Sequence, residues 1–530
     1  MTVREAVFQW LKERKVDRVF GNPGSTELSF LVDFPKEIQY VLALQESVAT
    51  AMADGYAQMT GRPAFLNLHV APGVGNAIGA MFNALKNKSP LVVTTGQQDT
   101  RHILNEPFLS GDLVGLARPV CKHAYEVLNP SDTAPALELA YRIANTPPKG
   151  PAFVSIPVNY WTMQGDPATV RQEHASSAAD GLDRVAEALN SAVKPALVLG
   201  AQCDEPEGWE ASIALAEKLG CAVFSAPLAS RMAFPTNHPL YRGTLIPAAP
   251  RLLQVLAEFD LVLAVGCPVF LVYPYFPGKL IPPGCRAIQI TDDPTEATKT
   301  VASETLMGDP VQSLVELAAL VEDKKPALPS KAVETAKLRS EAMRAKPTMG
   351  VSYAMYALSK NLPDGATVFD ESISSTLQLK SHIASVGPKQ YFTVASGGLG
   401  WGMPASIGAK LAEPDRPVVC AIGDGSCMYS IQALWTAAQQ RAGVFYYAIN
   451  NSGYSILKSF TKAFYPGAEG TVPGLEIPQL DLVALAKSMG VEAARVSDPE
   501  GLEAAIQRGL AYGGPYLLDV MVDPTVPNLF

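Results

Sequence analysis

A chain of 530 residues, 48% of them hydrophobic, is too long for one core and at ~150 residues per domain divides into about three. A net charge of −9 without basic clusters argues against nucleic-acid and acidic-membrane partners. No run reaches the ~20 apolar residues of a membrane span, the N-terminus lacks a signal peptide's apolar core, and seven unpaired-spacing cysteines read as reduced thiols, so a cytoplasmic protein is expected. In chain order, periodicity predicts a helix from Met1 to Arg14, strands at Arg18-Val-Phe and near Tyr40-Val-Leu, and a helix from Glu46 to Met59. Strand Ala64-Phe-Leu-Asn-Leu, a helix from about Pro72 and strand Leu91-Val-Val follow. A second segment has strands Ala196-Leu-Val-Leu, Ala222-Val-Phe, Leu261-Val-Leu-Ala-Val and Ala287-Ile-Gln-Ile. No G-x-G-x-x-G follows its first strand, so no bound dinucleotide is expected. The charged stretch Glu322 to Lys346 reads as a linker. Beyond it the first rhythm returns: strand Thr367-Val-Phe, a turn at Gly397-Gly398, a helix near Pro404, and a strand–helix–strand unit with its helix over Ser426 to Gln440. The expectation is an α/β chain of three consecutive doubly wound parallel-sheet domains, at 1–177, 178–335 and 345–530.

That last unit carries the strongest chemical signal. Gly423-Asp424-Gly425 ends one β-branched run, and Asn450-Asn451 ends the next, which places an Asp and an Asn at neighbouring strand ends of a parallel sheet. A carboxylate and an amide oxygen suit Mg²⁺, which completes its shell with phosphate oxygens. The N–H groups of Gly425 and Ser426 open a helix and can hold the same phosphates. An isolated Gly-Asp-Gly is also an ordinary turn; the spacing and the strand context give it meaning. The arrangement resembles the cofactor motif of thiamine diphosphate (ThDP) enzymes. The resemblance implies that Asp424, the side chain of Asn451 and the Gly453 carbonyl hold Mg²⁺. Ser374, Gly425 and Ser426 would bind the diphosphate, Tyr454 would contact the cofactor, Leu399 would wedge it into a bent shape, and the Gly397 carbonyl would accept from its 4′ nitrogen. Leu399 could equally be core, and serines at loop–helix junctions are often caps.

Such enzymes need a Glu against the pyrimidine ring, and Glu46 in Leu42-Ala-Leu-Gln-Glu-Ser fits. A Glu in a first turn can also merely stabilise its own helix. In the family this Glu and the diphosphate site come from different subunits, which implies at least a homodimer and, as the family usually assembles, a homotetramer.

In the first domain the resemblance narrows to benzoylformate decarboxylases, carried by Phe20-Gly-Asn-Pro-Gly-Ser-Thr-Glu-Leu, Ala64-Phe-Leu-Asn-Leu-His69 and Gly96-Gln-Gln. Later, Gly397-Gly-Leu-Gly and Ser430-Ile-Gln-Ala-Leu-Trp-Thr-Ala-Ala extend it nearly end to end. It implies non-oxidative decarboxylation of a small 2-oxo acid to an aldehyde and CO₂. Ser25 would hold the substrate carboxylate, although a turn Ser can simply bond its own backbone. His69 would shuttle protons at the former carbonyl oxygen, although a lone His at a strand end is often structural.

Two positions depart from the family. Where it has a middle-domain active-site His, this chain has Tyr273, and no His occurs between His238 and His382. Tyr, with an ordinary pKa of about 10, is a poorer acid for protonating the carbon that CO₂ has left, which favours carboligation. Ile456 stands where the family has a small residue. With Leu457, Phe460, Phe108 and Leu109 it is expected to narrow an apolar pocket toward slimmer or aliphatic acids. Other readings are an acyl-CoA lyase or oxalyl-CoA decarboxylase, an acetolactate synthase-like ligase, and a non-catalytic ThDP-fold subunit. The lyases need a nucleotide site for which no basic cluster is evident, and intact Glu46, Asp424 and Asn451 argue against the last.

Overall fold

The computed structural model describes residues 1–171, 176–324, 349–478 and 480–526. The expected linker therefore lies outside the described residues from 325 onward. In the first domain β1 (Arg18–Gly21), β2 (Gln39–Leu42), β3 (Ala64–Leu68), β4 (Leu91–Gln97), β5 (His123–Glu126) and β6 (Pro151–Pro157) form one parallel sheet ordered 2-1-3-4-6-5. In the middle domain β7 (Pro195–Leu199), β8 (Ala222–Ser225), β9 (Tyr241–Thr244), β10 (Leu261–Val265), β11 (Arg286–Thr291) and β12 (Glu304–Met307) are ordered 12-11-10-7-8-9. The last domain has β13 (Thr367–Glu371), β14 (Tyr391–Thr393), β15 (Val418–Gly423), β16 (Val444–Asn450), β17 (Glu492–Val496) and β18 (Tyr516–Met521), ordered 14-13-15-16-18-17. First and last sheets thus share one topology, the repeat that the sequence rhythm predicts.

Strands β3, β4 and β6 are buried along their whole length, which is why they read as largely apolar runs rather than strict alternation, with Asn67, Thr94, Thr95, Gln97 and Ser155 as their buried polar members. The N-terminal helix spans Val3–Glu13, closed at its start by a Thr2–Glu5 capping box. The helix expected over Ser426 to Gln440 is instead two, Asp424–Cys427 and Ala433–Gln440. Between them Met428, Tyr429 and Ser430 bond back three residues rather than four. That tightening sets Tyr429 against Gly400, where a Cβ would lie 2.9 Å from the Tyr429 Cβ.

The first and last domains share a core containing Phe20, Met52, Phe369 and Trp401. At its centre helix Glu46–Thr60 crosses helix Gly402–Ala412. A Cβ on Gly55 would strike the Ala405 carbonyl, and one on Gly408 the Met52 carbonyl, so the two backbones touch. The buried Trp401 indole donates across the boundary to Asp54 at 2.7 Å. Among the described residues no helix is long and apolar enough to cross a membrane.

Candidate active site

A doubly wound sheet binds ligands at the carboxyl ends of its strands where the order reverses, here between β13 and β15. An open cleft of about 400 Å³ lies at that point, lined by Ser374, Leu399, Gly425, Ser426, Tyr454 and Ile456 among others. Asp424, at the end of β15, is buried, and burial raises its carboxyl above the usual carboxylate range. Its Oδ2 accepts the Gly453 N–H at 3.2 Å, and Asn451 Oδ1 accepts the same N–H at 3.2 Å. The three expected metal-holding residues therefore converge. Among the described residues no three His, Cys, Asp or Glu side chains gather as a metal site, here or elsewhere. One buried carboxylate beside amide and carbonyl oxygens is a set fitted to a hard cation and its phosphate ligands. Of the Asn pair, Asn450 is structural, donating to buried Asp519 at 3.0 Å, while Asn451 faces the cleft. A Cβ on Gly425 would come 2.6 Å from Tyr454 Cε1 and fill the cradle.

The loop that carries Leu399 is held from below. Glu371, at the end of β13, accepts the N–H groups of Gly400 at 2.7 Å and Trp401 at 2.8 Å, and also that of Gly402. Complete burial pushes its carboxyl up to about 7 against those bonds. Gly397 and Gly400 take φ of 76° and 90°, conformations open to glycine.

The equivalent switch in the first sheet, between β1 and β3, gathers the other candidates. Helix Glu46–Thr60 is capped by Gln45, whose side chain accepts the Ser47 and Val48 N–H groups, so Glu46 is free of that duty. Glu46 is 7% exposed and instead receives Asn22 Nδ2 at 3.2 Å and Asn76 Nδ2 at 3.0 Å. His69 ends the β3 run and precedes helix Val70–Lys86 without bonding to it. Its Nδ1 lies 2.7 Å from Glu27 Oε2. Glu27, buried, also accepts Gly24 N–H at 2.8 Å, the Thr26 hydroxyl at 2.7 Å and Gly96 N–H at 2.9 Å. Gly24 lies so close to the imidazole that a Cβ would collide with it, which places the exposed turn residue Ser25 next to that ring.

Tyr273 projects from the middle domain, 63% exposed, with its ring 6.1 Å from that of Phe460. Phe460 lies on helix Ser455–Phe464, whose Ile456 lines the cleft. Leu457 and Phe108 are exposed, at 47% and 87%, and Leu109 sits at φ 69°. The expected apolar pocket is therefore not assembled from Ile456, Leu457, Phe460, Phe108 and Leu109 within one chain. Nor do Glu46, Ser25 and His69 line the cleft of Asp424. Helix Val70–Lys86 measures the gap: its Asn83, bonded to the Leu399 loop, is fourteen residues from His69, or ~21 Å of helix.

Sequence reasoning missed Glu27, Asn22, Asn76 and Glu371. The first two sit inside the quoted Phe20–Leu28 run. Their signal is a cluster of polar residues at a strand end otherwise destined for burial, which marks a site rather than a turn.

Three family profiles match: Thiamine pyrophosphate enzyme, N-terminal TPP binding domain, over residues 1–114; central domain, over 182–317; and C-terminal TPP binding domain, over 374–520. The chain is 38% identical to benzoylformate decarboxylase of Pseudomonas aeruginosa, covering 99% of this chain and 100% of that one. It is 28% identical to the acetolactate synthase large subunit of Haemophilus influenzae, covering 98% and 94%. Among solved structures, the thiamine diphosphate-dependent 4-hydroxybenzoylformate decarboxylase of Rhodococcus jostii RHA1 superposes with TM-score 0.93 at 36% identity, over 100% of both chains. Benzoylformate decarboxylase of Polynucleobacter necessarius does so with TM-score 0.92 at 33% identity, over 99% of both.

Proposed function

The chain belongs to the thiamine diphosphate-dependent 2-oxo acid decarboxylases, and from that membership we propose a non-oxidative, Mg²⁺-dependent carboxy-lyase for a slim 2-oxo acid. The observation that carries the cofactor reading is the convergence of Asp424 and Asn451 on the Gly453 amide beside the glycine-opened Asp424 turn. Mg²⁺ would sit on Asp424, Asn451 and the Gly453 carbonyl; Ser374, Gly425 and Ser426 would take the diphosphate, and Tyr454 would contact the cofactor. Leu399 and the Gly397 carbonyl would set the ring system. We place the domain limits at 1–177, 178–335 and 345–530, and the enzyme in the cytoplasm.

ThDP, when bound, supplies the nucleophilic carbon and the electron sink for loss of carboxylate. The chain's own residues handle position and protons. Glu46, positioned by Asn22 and Asn76, holds a proton for the pyrimidine ring. Glu27 accepts a hydrogen bond from His69 Nδ1–H, which leaves Nε2 to exchange a proton with the substrate oxygen. The Ser25 hydroxyl donates to the substrate carboxylate, and the Tyr273 hydroxyl stands in for the family's second His. Glu46 does not line the cleft of Asp424, and the family resemblance supports a site completed between two copies, in a dimer that pairs into a tetramer. The 2-oxo acid is slim or aliphatic because Ile456 occupies the cleft wall.

The test is purified protein with ThDP and Mg²⁺ on straight-chain, branched and aromatic 2-oxo acids, following CO₂ and aldehyde together, with Glu46→Gln as control. Stoichiometric release from aliphatic acids that vanishes in the control is expected. Clear preference for benzoylformate refutes the substrate reading. Tight ThDP binding with no CO₂ from any acid points to a ligase or lyase.

A further inference from the structure

Helix Val70–Lys86 carries a stripe that the mechanism uses only at one end. His69 precedes it, a Cβ on Gly73 would lie 3.1 Å from Glu46 Oε1, and Asn76 donates to Glu46. Continuing at helical spacing on the same face come Asn83 and Asn87. Both are buried, and both reach into the last domain. Asn83 Nδ2 donates to the Gly398 carbonyl at 3.2 Å, and its Oδ1 accepts the Ser396 hydroxyl. Asn87 Oδ1 accepts the Ala395 N–H at 2.9 Å while its Nδ2 donates to Asp54 at 2.9 Å. Gly398 lies flush against Asn83, where a Cβ would collide with Oδ1. The segment leading to Leu399 therefore hangs from the first domain, while Glu371 holds only its far side.

We propose that Asn83 and Asn87 are positioning residues for the cofactor loop, setting the Gly397 carbonyl and Leu399 across the domain boundary. This deepens, and rests on, the decarboxylase reading. Neither residue lines the cleft, so both act through residues 395–398. Helix and loop form one rigid piece, because two buried amides with both ends bonded have no alternative partners at hand. The start of the helix serves Glu46 and His69 and its end serves Leu399, so cofactor grip in the last domain depends on a helix that belongs to the substrate side of the first.

The experiment is calorimetric titration of the apoprotein with ThDP at saturating Mg²⁺, on unaltered protein, Asn83→Ala, Ser396→Ala and the double variant. Thermal unfolding of each apoprotein and KM for the 2-oxo acid at saturating ThDP complete it. Asn83→Ala is expected to weaken ThDP about tenfold, with KM for the acid unchanged. Ser396→Ala removes the same contact from the loop side, together with the acceptor of the Gly398 N–H, without hollowing the helix, and keeps the test alive if Asn83→Ala fails to fold. The double variant is expected to lose less than the product of the two single losses. Wild-type ThDP affinity in both single variants, or strictly multiplicative losses, would overturn the proposal. No ThDP binding by the unaltered protein would overturn the decarboxylase reading itself.

Discussion

Glu27 is an acceptor four times over: two backbone amides, one hydroxyl and one imidazole all point at its two oxygens. A carboxylate can accept them all, whereas an amide must turn an NH₂ toward donors. Glu27→Gln should therefore release His69 and loosen Gly24 beside Ser25. Losing one charge-assisted bond costs ~1.5–3 kcal/mol, so kcat/KM should fall ~10–100-fold while ThDP affinity holds. Steady-state kinetics beside a cofactor titration would check this, and undiminished kcat/KM would remove Glu27 from the proton path. Tyr273 poses the converse case, a side chain proposed to replace a His. It stands beside Phe460 within reach of the cleft wall, so Tyr273→His should raise aldehyde release and lower acyloin formation when an acceptor aldehyde is present. An unchanged product ratio would mean that another group delivers the proton.

Helices Glu46–Thr60 and Gly402–Ala412 cross so closely that two glycines, not two apolar side chains, form the contact. Both glycines are helical, so the reason is space rather than backbone conformation. Gly408→Ala must push the domains apart or bend a helix, at a cost of ~1–3 kcal/mol. Calorimetric melting should show this as a lowered Tm, and an unchanged Tm would mean that the crossing is looser than its geometry. No local signal reveals such a pair, because a glycine inside a helical pattern looks like a breaker. What local signals do reveal is periodicity. The Asp424 and Asn451 strand ends, the Glu46 helix and the His69 strand end could each be read from runs of a few residues, since burial on both faces of a parallel strand writes itself as largely apolar sequence. The break at Met428–Ser430 could not, because the contact it makes, Tyr429 against Gly400, lies distant in the chain. Glu371 and Asn83 were invisible for the same reason: each acts on a loop that another part of the fold brings to it.

Across the whole molecule, Asp204 is a joint between domains, accepting Trp209 Nε1 at 2.8 Å within the middle domain and Lys389 N–H at 3.1 Å from the last. Lys389 in turn donates Nζ to the Met59 carbonyl of the first, at 3.0 Å. Burial pushes the Asp204 carboxyl up to about 7, above its ordinary 3.8. A folded-state pKa above the unfolded one gives stability that is complete at low pH and is lost as pH rises through about 7. Wild-type protein should owe part of any Tm excess at pH ~5 over pH ~8 to this group. Asp204→Asn should shrink that difference, and an identical pH slope would show that Asp204 does not titrate in the folded state. The arrangement of the two related sheets raises a larger question. Each has a switch point bearing half of the expected chemistry, Glu46 and His69 on one and Asp424 and Asn451 on the other, and the first pair does not line the cleft of the second. If two copies complete each other, a site takes Glu46 from one chain and Asp424 from its partner. Glu46→Gln and Asp424→Asn homo-oligomers should then both be nearly inactive. Mixed by co-expression, half of the dimers pair unlike chains, and in each of these one site carries both lesions while the other carries neither. Activity should therefore return to about a quarter of wild type with random pairing in a two-fold dimer. A site closed within one chain has no such escape: every subunit in the mixture is damaged, and co-expression would restore nothing.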